Sequence, residues 1–460
     1  MQPARVYRRV PTPVAILFGI IVGTILTRLI STYHSGNSST SWRGSGHAPI
    51  HNSPRPTTSS RQAPPTLAQR RRVLDILSTL SPHYTRECTQ NLNPLYAQQA
   101  RERYAPLIGH NPPPSKSWLY DLGLGGLDPI PRPSQEEASY YSHRRDLSGG
   151  EHKYFFAINL YNSFDVIPDL FATLFRVSAF LGYHNVFVSI YENGSTDQTK
   201  ALLRIFDALA RSVGLRVTIR TSQRTRGAFN HRIEYLAEVR NAAFVPLHEL
   251  RDGQNEYFDT IVFMNDILPC IDDLLELIHQ SRLNNAGITC AADYMYHDEL
   301  VCPNFHYALF TTDSYFSKGA PVFYDNWVAR DINGTALENA PFGEVFHHST
   351  SSVRWQQHLP IQVQSCWNGI AVLDPVPFYQ PKHVRFRMAR IAEGECSASE
   401  CSLICNDYWE AGYGRILMVP RVKLAYDRVC IYLYYLRYSH PLTDPHCRKF
   451  SISFILRGAI

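Results

Sequence analysis

The chain has 460 residues, a formal net charge of +5, and 44% hydrophobic residues. That is room for one large catalytic domain plus appendages, with enough apolar side chain for a substantial core. The small charge and the lack of a long basic run exclude nucleic acid as a partner chosen by electrostatics.

At the N-terminus Arg5, Arg8 and Arg9 precede an apolar run from Val14 to Thr27, and Leu29 and Ile30 follow Arg28. A membrane span needs roughly 17–25 residues, which Pro11 to Ile30 just supplies. Basic residues ahead of the span place the N-terminus in the cytosol and the remainder in the lumen. A cleaved signal peptide is the competing reading, but no small-x-small cleavage site follows the run. The organisation expected is a cytosolic tail over 1–12, an anchor over 13–30, a Ser/Thr/Pro-rich stem over 31–66 and a helical segment with connector over 67–150. A lumenal catalytic domain over 151–430 and a C-terminal extension over 431–460 complete it. The site of such a protein is the Golgi membrane, in single-pass type II orientation. Asn37 and Asn333 head glycosylation sequons, and Asn193 formally heads another.

From Tyr154 strands and helices alternate. Strands are predicted over 154–161, 185–191, 215–221 and 259–264, and helices over 167–181, 199–213 and 233–250. The rhythm predicts a parallel sheet with helices on both faces, which binds ligands beyond the carboxyl ends of its strands. Polar groups gather at those ends. Asn159 and Tyr161 close the first strand. The second runs into Glu192, Asn193, Gly194, Ser195 and Asp197, groups able to hold a ribose or base, or simply to cap the next helix. Arg240 and Asn241 sit on the third helix, where Arg240 can reach a phosphate, anchor a loop or lie on a solvated face.

The fourth strand delivers Asn265 and Asp266. A carboxylate at such an edge is placed to hold a divalent cation against a diphosphate, or to cap the helix starting near Ile271. Beyond it the rhythm fades and aromatics dominate. Asp325 with Trp327, and Trp367 with Asn368, set a Trp beside polar groups, as sugar stacking or a core loop both require. Glu400 and Asp407 flank the cluster Cys396, Cys401 and Cys405. All ten Cys lie after the apolar run; disulfide pairing of the cluster is expected over a zinc site, which would need a second tight pair. No Ser-His-Asp order, P-loop or His-Glu-x-x-His motif is present.

Together these blocks resemble fungal glycosyltransferase family 69, the capsule-associated α-1,3-mannosyltransferases. The resemblance rests on Phe156 to Asn162, Tyr191 to Thr199, Glu238 to Ala243, Val262 to Asp266, Phe323 to Asp331, Ser365 to Val372 and Ser399 to Asp407. It implies a GT-A-like α/β fold, GDP-mannose as donor, a glycan acceptor and a divalent cation, manganese or magnesium, on Asp266. The catalytic set expected is Asp266, Glu400 and Asp407. Asn159, Tyr161, Glu192, Asn193, Ser195, Asp197, Arg240, Asn241 and Asn265 are expected at the donor, and Asp325, Trp327, Trp367 and Asn368 at the acceptor. Two alternatives stand beside this: a non-catalytic factor in polysaccharide assembly or export, and a transferase using another donor such as UDP-xylose.

Overall fold

Three apolar runs and one more polar edge strand make the first half of a ten-stranded sheet. They are β1 (Tyr154–Leu160), β2 (Val186–Asn193), β3 (Arg216–Ser222) and β4 (Thr260–Met264), joined by α2 (Ile167–Leu181), α3 (Thr199–Ser212) and α4 (Arg232–Gln254). The strands pair in parallel in the order β3-β2-β1-β4. This computed structural model describes residues 66–81, 103–108, 151–223, 231–296, 321–380 and 383–426. All belong to one compact unit. The expected anchor and stem lie outside the described residues, and among those residues no helix is long and apolar enough to cross a membrane.

Strand side chains alternate between two cores. Tyr154, Phe156, Ile158, Val188, Ile190, Val262 and Met264 enter the core shared with α2, α3 and α5 (Ile271–Leu283). Phe155, Ala157, Phe187, Ile261 and Phe263 enter the core shared with α4. Each large apolar side chain buried in full contributes roughly 1.5–3 kcal/mol. α2 is buried along its whole length except at Pro168, because α1 (Leu67–Leu80) covers its outer side. Arg176 of α2 donates to Ser78 of α1 at 3.3 Å.

The second half contributes β5 (Ile288–Tyr296), β6 (Pro321–Phe323), β7 (Arg330–Asp331), α6 (Ser349–Gln356), β8 (Ile361–Ser365), β9 (Ile370–Leu373), α7 (Val376–Tyr379), α8 (Glu400–Glu410) and β10 (Ile416–Ala425). Here the all-parallel expectation gives way to a mixed α/β sheet. β9 lies antiparallel between β4 and β5, β10 runs parallel to β5, and β8 runs antiparallel to β10. β8 and β9 run the same way, both against β4, β5 and β10, and the link between them passes through Asn368 and Gly369, both with positive φ. A β-carbon on Gly369 would meet Ile267 Cγ2 at 3.1 Å, so the position needs glycine for both reasons. Pro420 is accommodated because β10 bulges between Met418 and Lys423.

With β9 antiparallel to both neighbours, β4 and β5 point the same way. The carboxyl ends of β1, β2, β4, β5 and β10 therefore share one edge, although the sequence separates them widely.

A disulfide joins Cys290 of β5 to Cys366, the residue before Trp367. The expected disulfide pairing of the cluster cysteines, whose partners the sequence left open, is corrected: Cys396, Cys401 and Cys405 are free thiols. Cys401 and Cys405 are four apart on α8, so their side chains point the same way instead of facing each other. Cys401 Sγ lies at 3.6 Å from Glu400 Oε1, and Cys405 Sγ at 3.5 Å from the Cys366 carbonyl. Burial pushes the Cys405 thiol up to about 12 and the Cys401 thiol well above its ordinary range, so both stay protonated.

Candidate active site

The turns after β1 and β2 are laced to each other. Gly194 takes a positive φ, and so does Asn162. Ser195 Oγ accepts from the Asn162 backbone at 2.9 Å, and Asn162 Oδ1 accepts from the Thr196 backbone at 2.8 Å. Asp197 accepts from the backbone of Phe164 at 3.1 Å and of Thr199 at 2.9 Å, so it caps α3 and ties it to the first turn. Asn193 is buried and donates to the Tyr235 hydroxyl at 3.1 Å.

Glu192 is fully buried. Its Oε1 accepts from the Ser195 backbone, closing the turn. Its Oε2 makes no hydrogen bond and lies 3.8 Å from Lys200 Nζ. A second buried acceptor one strand away is also open: Asn159 donates to the Val239 carbonyl at 2.9 Å while its Oδ1 has no hydrogen-bond partner. The two unsatisfied acceptors lie at neighbouring strand ends on opposite faces of the sheet, Asn159 toward α4 and Glu192 toward α3, and each suits a ligand N–H or O–H that reaches over the edge. Tyr161 is exposed beside them.

We therefore expect Glu192→Ala to weaken GDP binding by about one to two decades, since a charge-assisted hydrogen bond contributes roughly 1.5–3 kcal/mol. Calorimetric titration checks this. Equal GDP affinity in a folded variant removes Glu192 from the site and leaves it as the brace of its turn.

At the end of β4, Asn265 and Asp266 are held from three sides. The Asn265 backbone donates to the Gly369 carbonyl at 2.9 Å, and Leu268 donates to the Ala425 carbonyl at 3.1 Å. Arg240 Nη1 donates to Asn265 Oδ1 at 3.1 Å and its Nε donates to Glu400 Oε1 at 2.9 Å. The guanidinium sits over the rings of Phe263, Trp367 and Phe386, at 5.0, 5.3 and 5.8 Å. Of the roles open to Arg240, the structure gives it the anchoring one: it binds α4, the β4 edge and the start of α8 together. Asp266 does not cap α5, which starts from Cys270 with Asp273 accepting from the Cys270 backbone at 2.8 Å.

Two residues the sequence reading missed complete this edge. Asp293, near the end of β5, is fully buried and accepts from Asn368 Nδ2 at 2.7 Å and from Tyr426 Oη at 3.0 Å. The Asp325 backbone also donates to it, at 3.2 Å. Burial pushes the Asp293 carboxyl up. Burial and the neighbouring Asp293 push Asp325 up to about 7. Burial, then Asp293, Asp325 and Asp266, raise the Tyr426 phenol well above its ordinary range. The only warning in the sequence was a carboxylate inside an otherwise apolar strand, at Ala292-Asp293-Tyr294.

Carboxyls gathered here against one guanidinium leave negative charge to be neutralised. Among the described residues no three His, Cys, Asp or Glu converge as a closed metal cage. A divalent cation arriving with a diphosphate needs only one or two protein carboxylates, and the rest of its shell is phosphate and water. Asp266, half-buried at the strand edge and with Asp293 and Asp325 around the same phenol, fits that mode.

The other expected residues divide. Trp327 is exposed, with Arg232 over its ring at 5.5 Å, and follows Asp325 on the rim. Trp367 is buried against Arg240 and Phe386 and is part of the wall. Asn241 exchanges two hydrogen bonds with the Phe386 backbone and so fixes that wall. Asp407 lies seven residues beyond Glu400 on α8, about 10 Å along the axis. It is paired with Arg387, which also holds Glu395, and is not brought to the Asp266 edge by these contacts.

Asn333 is exposed in a turn, its side chain accepting from the Thr335 backbone at 3.0 Å, whereas Asn193 is buried. Peptide mapping after glycosidase treatment is expected to find a glycan on Asn333 and none on Asn193. Modification of Asn193 would contradict the packed turn.

The chain matches the family profile of cryptococcal mannosyltransferase 1 over residues 153–407, more than half its length. It is 36% identical over 278 residues to an alpha-1,3-mannosyltransferase, CMT1, of Cryptococcus neoformans var. neoformans serotype D. That stretch is 57% of this chain and 55% of the relative, so the match spans about half the relative's length. Among solved structures, a mannosyltransferase of Pyrobaculum calidifontis in complex with GDP-Man and Mn2+ aligns with a TM-score of 0.34 and 13% identity. That alignment covers 77% of this chain and 68% of the other. Residues 1–349 of TarS from S. aureus align with a TM-score of 0.33 and 12% identity, covering 59% and 60%.

Proposed function

We propose, on the premise that the chain belongs to the cryptococcal mannosyltransferase 1 family, that it transfers mannose from GDP-mannose to a glycan acceptor. The linkage is α-1,3, formed with retention of configuration on a GT-A-like sheet. The observation that carries this reading is the shared edge. Open acceptors at Glu192 and Asn159 lie at the ends of β2 and β1, the Asp266 and Asp325 carboxyls lie just beyond β4 and β6, and the Asp293 carboxyl lies near the end of β5.

In this reading Glu192 and Asn159 take the nucleoside. Asp266 holds the divalent cation, manganese or magnesium, that accompanies the diphosphate. Bound there, a divalent cation would offset negative charge on the leaving diphosphate. Arg240 keeps Asn265 and Asp266 in place, so the edge needs no rearrangement as charge develops. The Asp325 carboxyl, pushed up to about 7, is protonated about as often as not near neutrality and can hydrogen-bond an acceptor hydroxyl in either sense. Trp327 offers an exposed ring against which the apolar face of a sugar can stack.

The Cys290–Cys366 disulfide suits an oxidising compartment. We place the catalytic unit in the Golgi lumen, behind a type II anchor at the N-terminal apolar run.

The test is transfer by the purified protein from GDP-mannose to an α-mannoside acceptor, with and without manganese, beside a panel including UDP-xylose. Manganese-dependent mannosyl transfer is expected. Transfer only from another donor overturns the donor assignment, and a folded protein without hydrolysis or transfer points to a non-catalytic role in polysaccharide assembly.

A further inference from the structure

The sheet edge opposite the candidate active site carries a cavity of about 630 Å³, within the roughly 300–1,000 Å³ of ligand pockets. It lies where β8 and β10 begin their pairing, with Ile361 and Leu417 as apolar floor. From there to the far edge runs the length of β5, six residues between Ile288 and Tyr294, or about 20 Å. The cavity is therefore a separate place on the molecule.

Its lining has a distinct chemistry. Arg354 and Arg415 face it, together with the amides of Gln280, Asn284 and Gln362 and the hydroxyl of Thr350, and no Asp or Glu lines it. Arg354 donates only to the Pro360 carbonyl, at 3.0 and 2.7 Å, and Arg415 to the Asn284 carbonyl at 2.7 Å. Among the described residues neither guanidinium is paired with a carboxylate. Asp331 lies behind the wall, buried, accepting from the Ser351 hydroxyl at 2.8 Å and the Ile332 backbone at 2.7 Å. The amides are pre-ordered: Asn284 donates to the Gln280 side chain at 3.0 Å and to its carbonyl at 2.8 Å.

We propose that this cavity is a second carbohydrate site, selective for a saccharide that carries an anionic group. Planar guanidinium groups with unused N–H donors recognise a carboxylate or phosphate. Amides and a hydroxyl around an apolar floor match the mixed surface of a sugar ring. Two positive charges without acidic neighbours disfavour a cationic ligand and give a neutral sugar nothing that an anionic one lacks. The proposal does not rest on the reaction at the other edge, since the ligand is bound there and not transformed.

The experiment titrates the full-length protein with D-glucuronate, D-glucose and inorganic phosphate, the two sugars read by saturation-transfer NMR and phosphate by phosphorus-31 line broadening and by its displacement of glucuronate. Glucose is the same ring without the carboxylate, so glucuronate is expected to bind about tenfold more tightly. Arg354→Gln and Arg415→Gln are each expected to weaken glucuronate by about fivefold or more, while Asp266→Asn leaves it unchanged. Both arginines are exposed, and an unchanged unfolding midpoint confirms that the variants fold. Equal affinity for glucose and glucuronate overturns the proposal, as does unchanged binding in both arginine variants. Phosphate binding as tightly as glucuronate also overturns it, because the site then reads a free anion and no saccharide.

Discussion

Asp266→Asn is expected to lower mannosyl transfer by about a thousandfold or more while the protein stays folded. The substitution keeps the shape of the side chain and removes the charge. Asp266 stands at the end of β4, where Arg240, the Gly369 carbonyl and the Ala425 carbonyl fix the neighbouring backbone and side chain. On the proposed reading, loss of the carboxylate acts on charge that develops as the diphosphate leaves, so turnover is expected to fall while acceptor affinity changes little. A loss of about 4 kcal/mol of transition-state stabilisation corresponds to that factor. Assays across a manganese titration, with GDP binding measured separately, check it. Near-normal manganese-dependent transfer by the folded variant rules out Asp266 as the cation ligand and the mechanism built on it.

Arg240→Met is expected to lower unfolding stability by about 3–5 kcal/mol, because it leaves Glu400 buried with its charge uncompensated. Glu400 is almost wholly enclosed, and the Arg240 side chain is 12% exposed. Methionine fills the aromatic box of Phe263, Trp367 and Phe386, so the loss reports on charge more than on packing. Glu400→Met added to Arg240→Met is then expected to recover part of the stability, since the orphaned charge has gone with its partner. Urea unfolding of the two single variants and the double variant forms the cycle. Strictly additive losses show that the two side chains stabilise the protein independently and remove the tie between α4 and α8.

The first half of the sheet was legible in the sequence because β1, β2 and β4 are mainly apolar runs, β3 alternates apolar and polar residues as an edge strand does, and helices separate them. The helix over 167–181 is found at its expected limits, and the strands within two residues of theirs. The mixed pairing beyond β4 was not legible. Strand direction there is set by long-range pairing, and nothing in the Ile370–Leu373 run says which neighbours it will take. Within the site, Asn265, Asp266, Arg240 and Glu400 were found as motif residues. The fact that Arg240 and Glu400 serve each other was invisible, because 160 residues separate them. Asp293 and Tyr426 were missed because one sits within a strand and the other at a strand end, and only the pairing of β5 with β10 brings them together. The cysteine cluster misled because close spacing along a helix aligns thiols without turning them toward each other.

The place of β10 in the sheet bears on how the protein is made. It is the last described strand in sequence, yet it lies between β5 and β8, and Tyr426 at its end closes the hydrogen bonds around Asp293. A nascent chain still lacking that strand has a gap in its sheet, with β5 open on one side and β8 paired only with the two-residue β7. Long-range pairings of this kind form slowly and late, and the unpaired edges are what aggregation exploits meanwhile. The catalytic edge is thus completed only when nearly the whole domain has left the ribosome. The parallel half from β1 to β4 has its complete sequence available much earlier and can serve as the template on which the remainder is laid down.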